Sequence, residues 1–527
     1  MCGFLFSSSS KSKEIKQLIS SFNKISYRGP DSTETIYLDD GSFIGFHRLA
    51  IMDPTSRGEQ PFRVDKKLLV CNGEIYNFQD LKKKINNYQF FSQSDCEVIL
   101  PLFNQTSIEK FLTQLDGEYA FVIYNEENKH IFAARDPMGI RPMFYGFTKI
   151  DKSICFASEA KALVDFCDDI KPFPPAHYYK DGKFISFHNY EKKVFKATLP
   201  EIQKNIHDLL SGAIIKRLHS DAPVGFLLSG GLDSSIVCAV AAKHIKKPIV
   251  TFSVGIDVNP IDLKYARIVA EHIGSIHHEV IFTKEETYAH LEELIYHLET
   301  WDITTIRAAI GMSLVCKYIK EKTNIKVVLT GEVSDELFGY KYTDYAPNAD
   351  EFQKEARKRI HELYLYDVLR ADRSISCHSL EARVPFSDKF FVDYVMGLSA
   401  EFKMNTTGVG KYLLRKAFES NNYLPHEILY RDKAAFSDAV GHSMVDWLKE
   451  LAEKKYTQMD LLNAKKKYYH GTPFTKESLM YREIFEKYFK GNEKLIPDFW
   501  MPNKSWENCD VSDPSARVLP NYDKSGV

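Results

Sequence analysis

The sequence has no long apolar run. Its densest hydrophobic stretches, such as residues 224–228, fall well short of the roughly 20 residues that a spanning helix needs, and no basic region followed by an apolar one opens the chain. A membrane partner and an export signal are therefore not expected, and the chain reads as cytoplasmic. It also lacks an excess of one charge. With 69 basic against 71 acidic side chains and a net charge of -2, nothing attracts nucleic acid or anionic lipid globally, so any anion site must be local. The nine cysteines are scattered and odd in number, with no C-x-x-C pair, which favours reduced thiols over a disulfide framework. There is no internal repeat. The GxxxxGK[ST] loop is absent as well, so transfer of a terminal phosphoryl group is not implied.

What is present is ample core material: 44% hydrophobic and 27% charged residues spread over 527 positions, too many for one core. Up to about residue 190 the chain reads as short strands with a few helices, for example residues 68–71, 120–124 and 130–134. Near Thr198 the texture changes. Thr198-Leu199-Pro200-Glu201 has capping-box spacing, and Ile202, Ile206, Leu209, Leu210 and Ile214 follow at helical intervals. Buried-type strands (224–228, 249–254, 326–329) then alternate with helical stretches, as in a parallel sheet with covering helices. Helices dominate from about residue 348 to 490. The polar stretch after Pro497 has no periodicity and reads as a loosely held extension. The expected division is 2–190, 198–490 and an extension 491–527.

Cys2 follows the initiator, whose removal would leave a cysteine with its own free amine. Such an amine titrates near neutrality, at roughly 7.7–8.0, and can act as base toward the thiol. His47-Arg48-Leu49-Ala50-Ile51-Met52-Asp53 supplies a guanidinium fork suited to a carboxylate. Asn72-Gly73-Glu74 follows an apolar strand and supplies an amide and a glycine N–H, donors for a tetrahedral oxyanion. Asp95 offers a counter-charge for an ammonium group. A surface arginine, a turn and a helix cap would explain each of these singly. Together and in this order they resemble the class II glutamine amidotransferase domain, and Arg28-Gly29-Pro30-Asp31 and residues 135–142 extend the likeness. By that resemblance Cys2, Asn72 and Gly73 carry the hydrolysis of glutamine, which is bound by Arg48, Leu49, Ala50, Ile51, Met52, Asn72, Gly73, Glu74 and Asp95.

Ser229-Gly230-Gly231-Leu232-Asp233-Ser234-Ser235 lies between a strand and a helical run. Glycines let its backbone curl toward an anion, and the N–H groups that follow can bind one. It resembles the loop of ATP pyrophosphatases, which grips pyrophosphate while AMP passes to an acid. A second turn, Thr330-Gly331-Glu332-Val333-Ser334-Asp335-Glu336, also follows an apolar strand. Asp233 and Asp335 are candidates to share Mg²⁺. His277-His278-Glu279 is not a metal site on this reading, because neighbours on a strand point to opposite faces.

The residues 299–308, Leu380-Glu381-Ala382-Arg383-Val384-Pro385-Phe386 and Lys433-Ala434-Ala435-Phe436-Ser437-Asp438 carry the likeness further, to the bacterial type of asparagine synthetase, over essentially the whole chain. The resemblance implies an α+β amidotransferase domain of layered antiparallel sheets, then an α/β pyrophosphatase domain with a parallel sheet and a helical C-terminal part. It further implies ATP near Leu228, Val254, Thr330 and Gly331, roles for Glu332 and Lys433 in the acyl transfer, and glutamine, aspartate and ATP as small-molecule partners. A homodimer is compatible with it. Thr330 and Val333 depart from the family's Ser and Gly, and Thr343-Asp344-Tyr345 from its Phe-His-Lys. A β-branched residue at positive φ is strained, so Val333 is expected at negative φ. A ring-closing ligase of the β-lactam-forming kind and a degenerate paralogue use the same motifs. Pyrophosphate release with aspartate, ATP and either nitrogen source separates the three.

Overall fold

The computed structural model describes residues 1–8, 15–190, 195–256, 261–432 and 442–522. The chain forms two compact units. The first comprises Met1–Asn189, His219–Pro223 and Ile375–Glu381, and the second Tyr190–Leu218, Val224–Ser374 and Ala382–Val527.

In the first unit, strands β1 (Gly3–Ser7), β2 (Ser32–Tyr37), β3 (Phe43–Arg48), β4 (Phe62–Val64), β5 (Lys67–Ile75), β6 (Gly117–Asn125), β7 (Ile131–Arg135), β8 (Phe144–Thr148), β9 (Ile154–Ala157), β10 (Cys167–Pro172), β11 (His177–Lys180) and β12 (Lys183–Ser186) make two six-stranded sheets. Their orders are β10-β8-β9-β1-β3-β2 and β12-β11-β7-β6-β5-β4. Neighbouring strands pair antiparallel, as in β1 with β3 and β5 with β6. Alternation explains the layering. Phe4 and Phe6, Ile44 and Phe46, Leu68 and Val70, and Ala120, Val122 and Tyr124 each recur at period two, and together they fill the core between the sheets. The opposite faces take helices. Gly45 leaves room for the Phe22 ring of helix Ile15–Asn23, whose atoms would lie 2.9 Å from a Cβ at that position.

The second unit opens with helix Leu199–Lys216, started by the expected capping box between Thr198 and Glu201. Its sheet has the order β15-β14-β13-β16-β17, from β13 (Val224–Leu227), β14 (Val250–Ile256), β15 (Ile276–Phe282), β16 (Val327–Leu329) and β17 (Glu381–Arg383). β13 pairs parallel with both β14 and β16. The chain thus leaves β13 toward one edge and returns to β16 on its other side. That reversal opens a crevice at the carboxyl ends of β13 and β16, where ligands of open α/β sheets bind. His277 is hydrogen-bonded to Thr251 and Ser253, whereas His278 stacks on Phe252 on the other face, as strand alternation requires.

The stretch after Pro497 differs from the expectation of a loose extension. Trp506 and Tyr522 are buried, the Trp500 N–H donates to Asp302 at 2.7 Å, and Asp513 pairs with Arg307 at 3.0 Å. Asp302 and Arg307 lie about 200 residues earlier in the chain, pairings that local periodicity cannot reveal.

Candidate functional site

In the first unit the antiparallel register Gly3↔His47 carries Cys2 to the start of the loop after β3. There the Leu49 N–H donates to the Cys2 Sγ at 3.4 Å, and the thiol points back to the Leu49 carbonyl at 3.7 Å. The Arg28 Nε holds the Cys2 carbonyl at 2.9 Å. Gly29 lies so close to the His47 carbonyl that a Cβ would approach it to 2.3 Å, and Asp31 accepts the Ala50 N–H at 2.7 Å. Arg28-Gly29-Pro30-Asp31 therefore fixes the loop that faces the thiol.

Arg48 is buried, and its fork collects the carbonyls of Met52, Asp53 and Thr55, so residues 49–55 wrap the guanidinium. Gly58 makes this possible, since a Cβ would come to 2.2 Å from the guanidinium nitrogen. Asn72 is buried on β5, and neither atom of its amide has a partner among the described residues. Orphaned buried amides are costly, and this pair is free to bond a group that enters the site. At Gly73 a Cβ would lie 2.6 Å from the Glu118 carbonyl, so no larger residue fits. Asp95 accepts the Ile75 N–H at 2.7 Å, and burial pushes its carboxyl up to about 6. Burial also pushes the Cys2 thiol up to about 11 and the Met1 amine down to about 5, while the Met1 amine donates to the Leu380 carbonyl. Glu381 lies within electrostatic range of all three groups. With Met1 in place the thiol is held protonated, and the nearby amine belongs to Met1 rather than to Cys2 itself. Residues 135–142 are scaffold: Asp136 gathers the N–H groups of Met138, Ile140 and Arg141, and Arg135 binds three carbonyls.

In the second unit the loop after β13 turns at Gly230, where φ is +70° and a Cβ would strike the backbone of Tyr265 and Ala266 at 2.5 Å. Helix Leu232–His244 starts directly behind it, with no side chain capping its first turn. The two turns touch. A Cβ on Gly331 would lie 2.8 Å from the Ser234 nitrogen. Leu228, Ser229, Gly231, Leu232, Asp233, Ser234, Val254, Thr330, Gly331, Glu332 and Asp335 line one cavity of about 250 Å³, and Gly230 and Ser235 are not part of its lining. The hydroxyls of Ser235 and Thr330 are buried without partners among the described residues.

Lys411 occupies the centre of this arrangement. Its Nζ lies 2.8 and 2.9 Å from the two Asp233 oxygens, 2.5 Å from Asp335 and 2.9 Å from the Ser334 hydroxyl. The sequence reading missed this residue. Its only local signal is the Gly408-Val409-Gly410-Lys411 turn, and the partners are 178 and 76 positions away. Both carboxylates thus converge on a single cation, a donor pair of the kind that binds Mg²⁺ when phosphate oxygens complete the shell. Among the described residues no cluster of three or more metal-binding side chains exists. Glu332 is held by Arg370, which also binds Asp367 at 3.0 Å. Burial and the neighbouring Asp367 and Asp335 push the Glu336 carboxyl well above its ordinary range. Lys433 and the motif it opens lie outside the described residues.

Val333 contradicts the expectation of negative φ. Its φ is +79° and its side chain is buried. The left-handed residue immediately before helix Ser334–Phe338 reverses the chain so that Ser334 and Asp335 reach Lys411. The Ser334 hydroxyl donates to Asp233 of the first turn at 2.6 Å, which holds this conformation despite the β-branch.

The family of glutamine amidotransferase domains matches residues 1–216, and the asparagine synthase family matches 205–353 and 344–513. A glutamine-hydrolysing asparagine synthetase of Gallus gallus is 43% identical, with 96% of each chain covered. The corresponding proteins of Homo sapiens and Asparagus officinalis are each 40% identical, covering 96% and 100% of this chain and 96% and 92% of their own.

Proposed function

This chain belongs to the family of glutamine-hydrolysing asparagine synthetases, and from that premise we propose how its residues divide the reaction. Asparagine is made from aspartate, with glutamine as nitrogen donor and ATP as activating substrate, leaving glutamate, AMP and pyrophosphate.

In the first unit, removal of Met1 gives Cys2 a free amine that takes the thiol proton, and the thiolate attacks the glutamine carboxamide. The unpartnered Asn72 amide and the Gly73 N–H receive the oxyanion. Its collapse breaks the C–N bond, releasing ammonia and leaving a glutamyl thioester, and water then hydrolyses the thioester to glutamate and the free thiol. Arg48, the loop 49–52 that wraps it, and Glu74 seat the glutamine, and Asp95 takes its ammonium group. In the second unit the aspartate side-chain carboxylate attacks the α-phosphorus of ATP. The new acyl–phosphate bond forms as the bond to pyrophosphate breaks, and ammonia then displaces AMP from the β-aspartyl adenylate. The residues 229–235 and 330–331 cradle the phosphates, with Leu228 and Val254 beside the nucleotide. Glu332 faces the reacting acyl group. Lys433 stabilises charge on the phosphates. Asp233 and Asp335 would hold Mg²⁺, whose chemistry is charge neutralisation on the departing pyrophosphate. The observation that carries this reading is the convergence of Asp233 and Asp335 on one cation, where two phosphate-type turns meet at the reversal of strand order.

Among the described residues no helix is long and apolar enough to cross a membrane. The reading places the enzyme in the cytoplasm and allows a homodimer, which sedimentation tests. Pyrophosphate release with aspartate, ATP and either glutamine or ammonium is the decisive assay. A protein that hydrolyses glutamine yet makes no asparagine from either nitrogen source would overturn the reading of the second unit.

A further inference from the structure

The cavity of the second unit has a wall that neither phosphate turn supplies. Pro514, Ser515 and Ala516, from the C-terminal stretch, line it together with Arg307. Arg307, on helix Ile303–Lys322, is buried and clamped from two sides. Its Nε and one terminal nitrogen bind Glu477 at 2.8 and 2.6 Å, and the other terminal nitrogen binds Asp513 at 3.0 Å and the Ser515 hydroxyl at 2.7 Å. Asp513 is itself fixed, accepting the Ser515 N–H at 2.8 Å and pairing with Lys449 at 2.6 Å. Beyond the turn, Ala516 and Tyr522 pack with Tyr340, and Asn521 binds the Lys341 carbonyl. This anchors the stretch on the segment after Gly339, where the sequence leaves the family pattern.

Two consequences follow. The positive charge of Arg307 is already matched by two carboxylates, so in this arrangement its role is to hold the turn. The Ser515 oxygen uses a lone pair to accept from Arg307, while its own proton has no acceptor among the described residues. A hydroxyl oriented in this way is a fixed donor on a cavity wall, and a carboxylate oxygen is its natural acceptor. The phosphate turns and the β14 residues account for the nucleotide's share of the lining, and in the remaining wall, which includes Glu355, Arg359 and Trp500, the turn 513–516 contributes this fixed hydroxyl donor.

We propose that the turn Asp513–Ala516 forms the amino-acid end of the synthetase cavity, with Ser515 as a positioning residue that donates to a carboxylate of the aspartate substrate. The inference rests on the reading of this cavity as the synthetase site. Its test is steady-state pyrophosphate release with ammonium as nitrogen source, for the unsubstituted protein, Ser515→Ala and Ser515→Thr. A hydrogen bond to a charged group is worth about 1.5 kcal/mol or somewhat less here, so Ser515→Ala should raise the KM for aspartate about five- to tenfold. The KM for ATP should not change, and Ser515→Thr, which keeps the hydroxyl, should restore most of the aspartate KM. An unchanged aspartate KM in Ser515→Ala would overturn the proposal, as would an equal rise for ATP, which marks a general loosening of the cavity. If the unsubstituted protein releases no pyrophosphate with aspartate and ATP, the underlying reading of the cavity fails, and this inference with it.

Discussion

At the scale of single residues, the surroundings of three side chains give the proposed reading measurable consequences. Cys2→Ala should abolish asparagine synthesis from glutamine while synthesis from ammonium persists, because only the nitrogen source depends on the thiolate. Glutaminase activity surviving in that variant would remove Cys2 as the nucleophile. Asp95 adds a pH dependence. Burial raises its carboxyl to about 6, so the negative charge that a glutamine ammonium needs is present above that pH and lost below it. The kcat/KM for glutamine should therefore fall about tenfold per pH unit below about pH 6. The break near pH 6 should be absent when kcat/KM is measured for ammonium instead, which follows only the fraction of unprotonated ammonia. Val333 is the third case. Its buried side chain sits at φ +79°, which costs on the order of 1–3 kcal/mol for a β-branched residue. Val333→Gly should relieve that strain and Val333→Ala should not, so the glycine variant should be the more stable of the two by about 1 kcal/mol in urea unfolding. Equal stabilities would show that the turn relaxes around any side chain.

At the scale of elements, the second unit depends on the contact of two turns that follow β13 and β16. Gly331 is the contact point. Any Cβ there meets the Ser234 nitrogen at 2.8 Å, so Gly331→Ala should push the turns apart and separate Asp233 from Asp335. Asparagine synthesis should drop by at least about tenfold, or roughly 1.4 kcal/mol of barrier, while glutamine hydrolysis continues. Comparable losses in both activities would point to misfolding. Much at this scale was legible beforehand. The capping box at Thr198, the strand–glycine–helix order around Gly230 and the short apolar runs at 68–71 and 120–124 are local patterns, and they appear within helix Leu199–Lys216, the loop after β13, and β5 and β6. The C-terminal stretch was misread because its order comes from distant pairs such as Arg307 with Asp513, not from periodicity.

At the scale of the whole molecule, two chemistries reside in two units, so they should be separable by mutation. Glu332→Ala should stop asparagine formation from either nitrogen source and leave glutamine hydrolysis at Cys2. Isotope exchange between pyrophosphate and ATP would show whether adenylate formation or ammonia attack is lost. Equal loss of glutaminase activity would withdraw the role of Glu332. The sequence by itself determined the family, the order of the two chemistries and the turns that glycine permits, because short motifs and period-two or helical spacing act over a few residues. Tertiary structure alone decided that Lys411 joins Asp233 to Asp335, that Ile375–Glu381 belongs with the first unit, that Val333 takes a left-handed conformation and that the turn at Ser515 lines the cavity. Each of these depends on charges or buried polar groups that find partners far along the chain, and only the folded packing selects which partners meet.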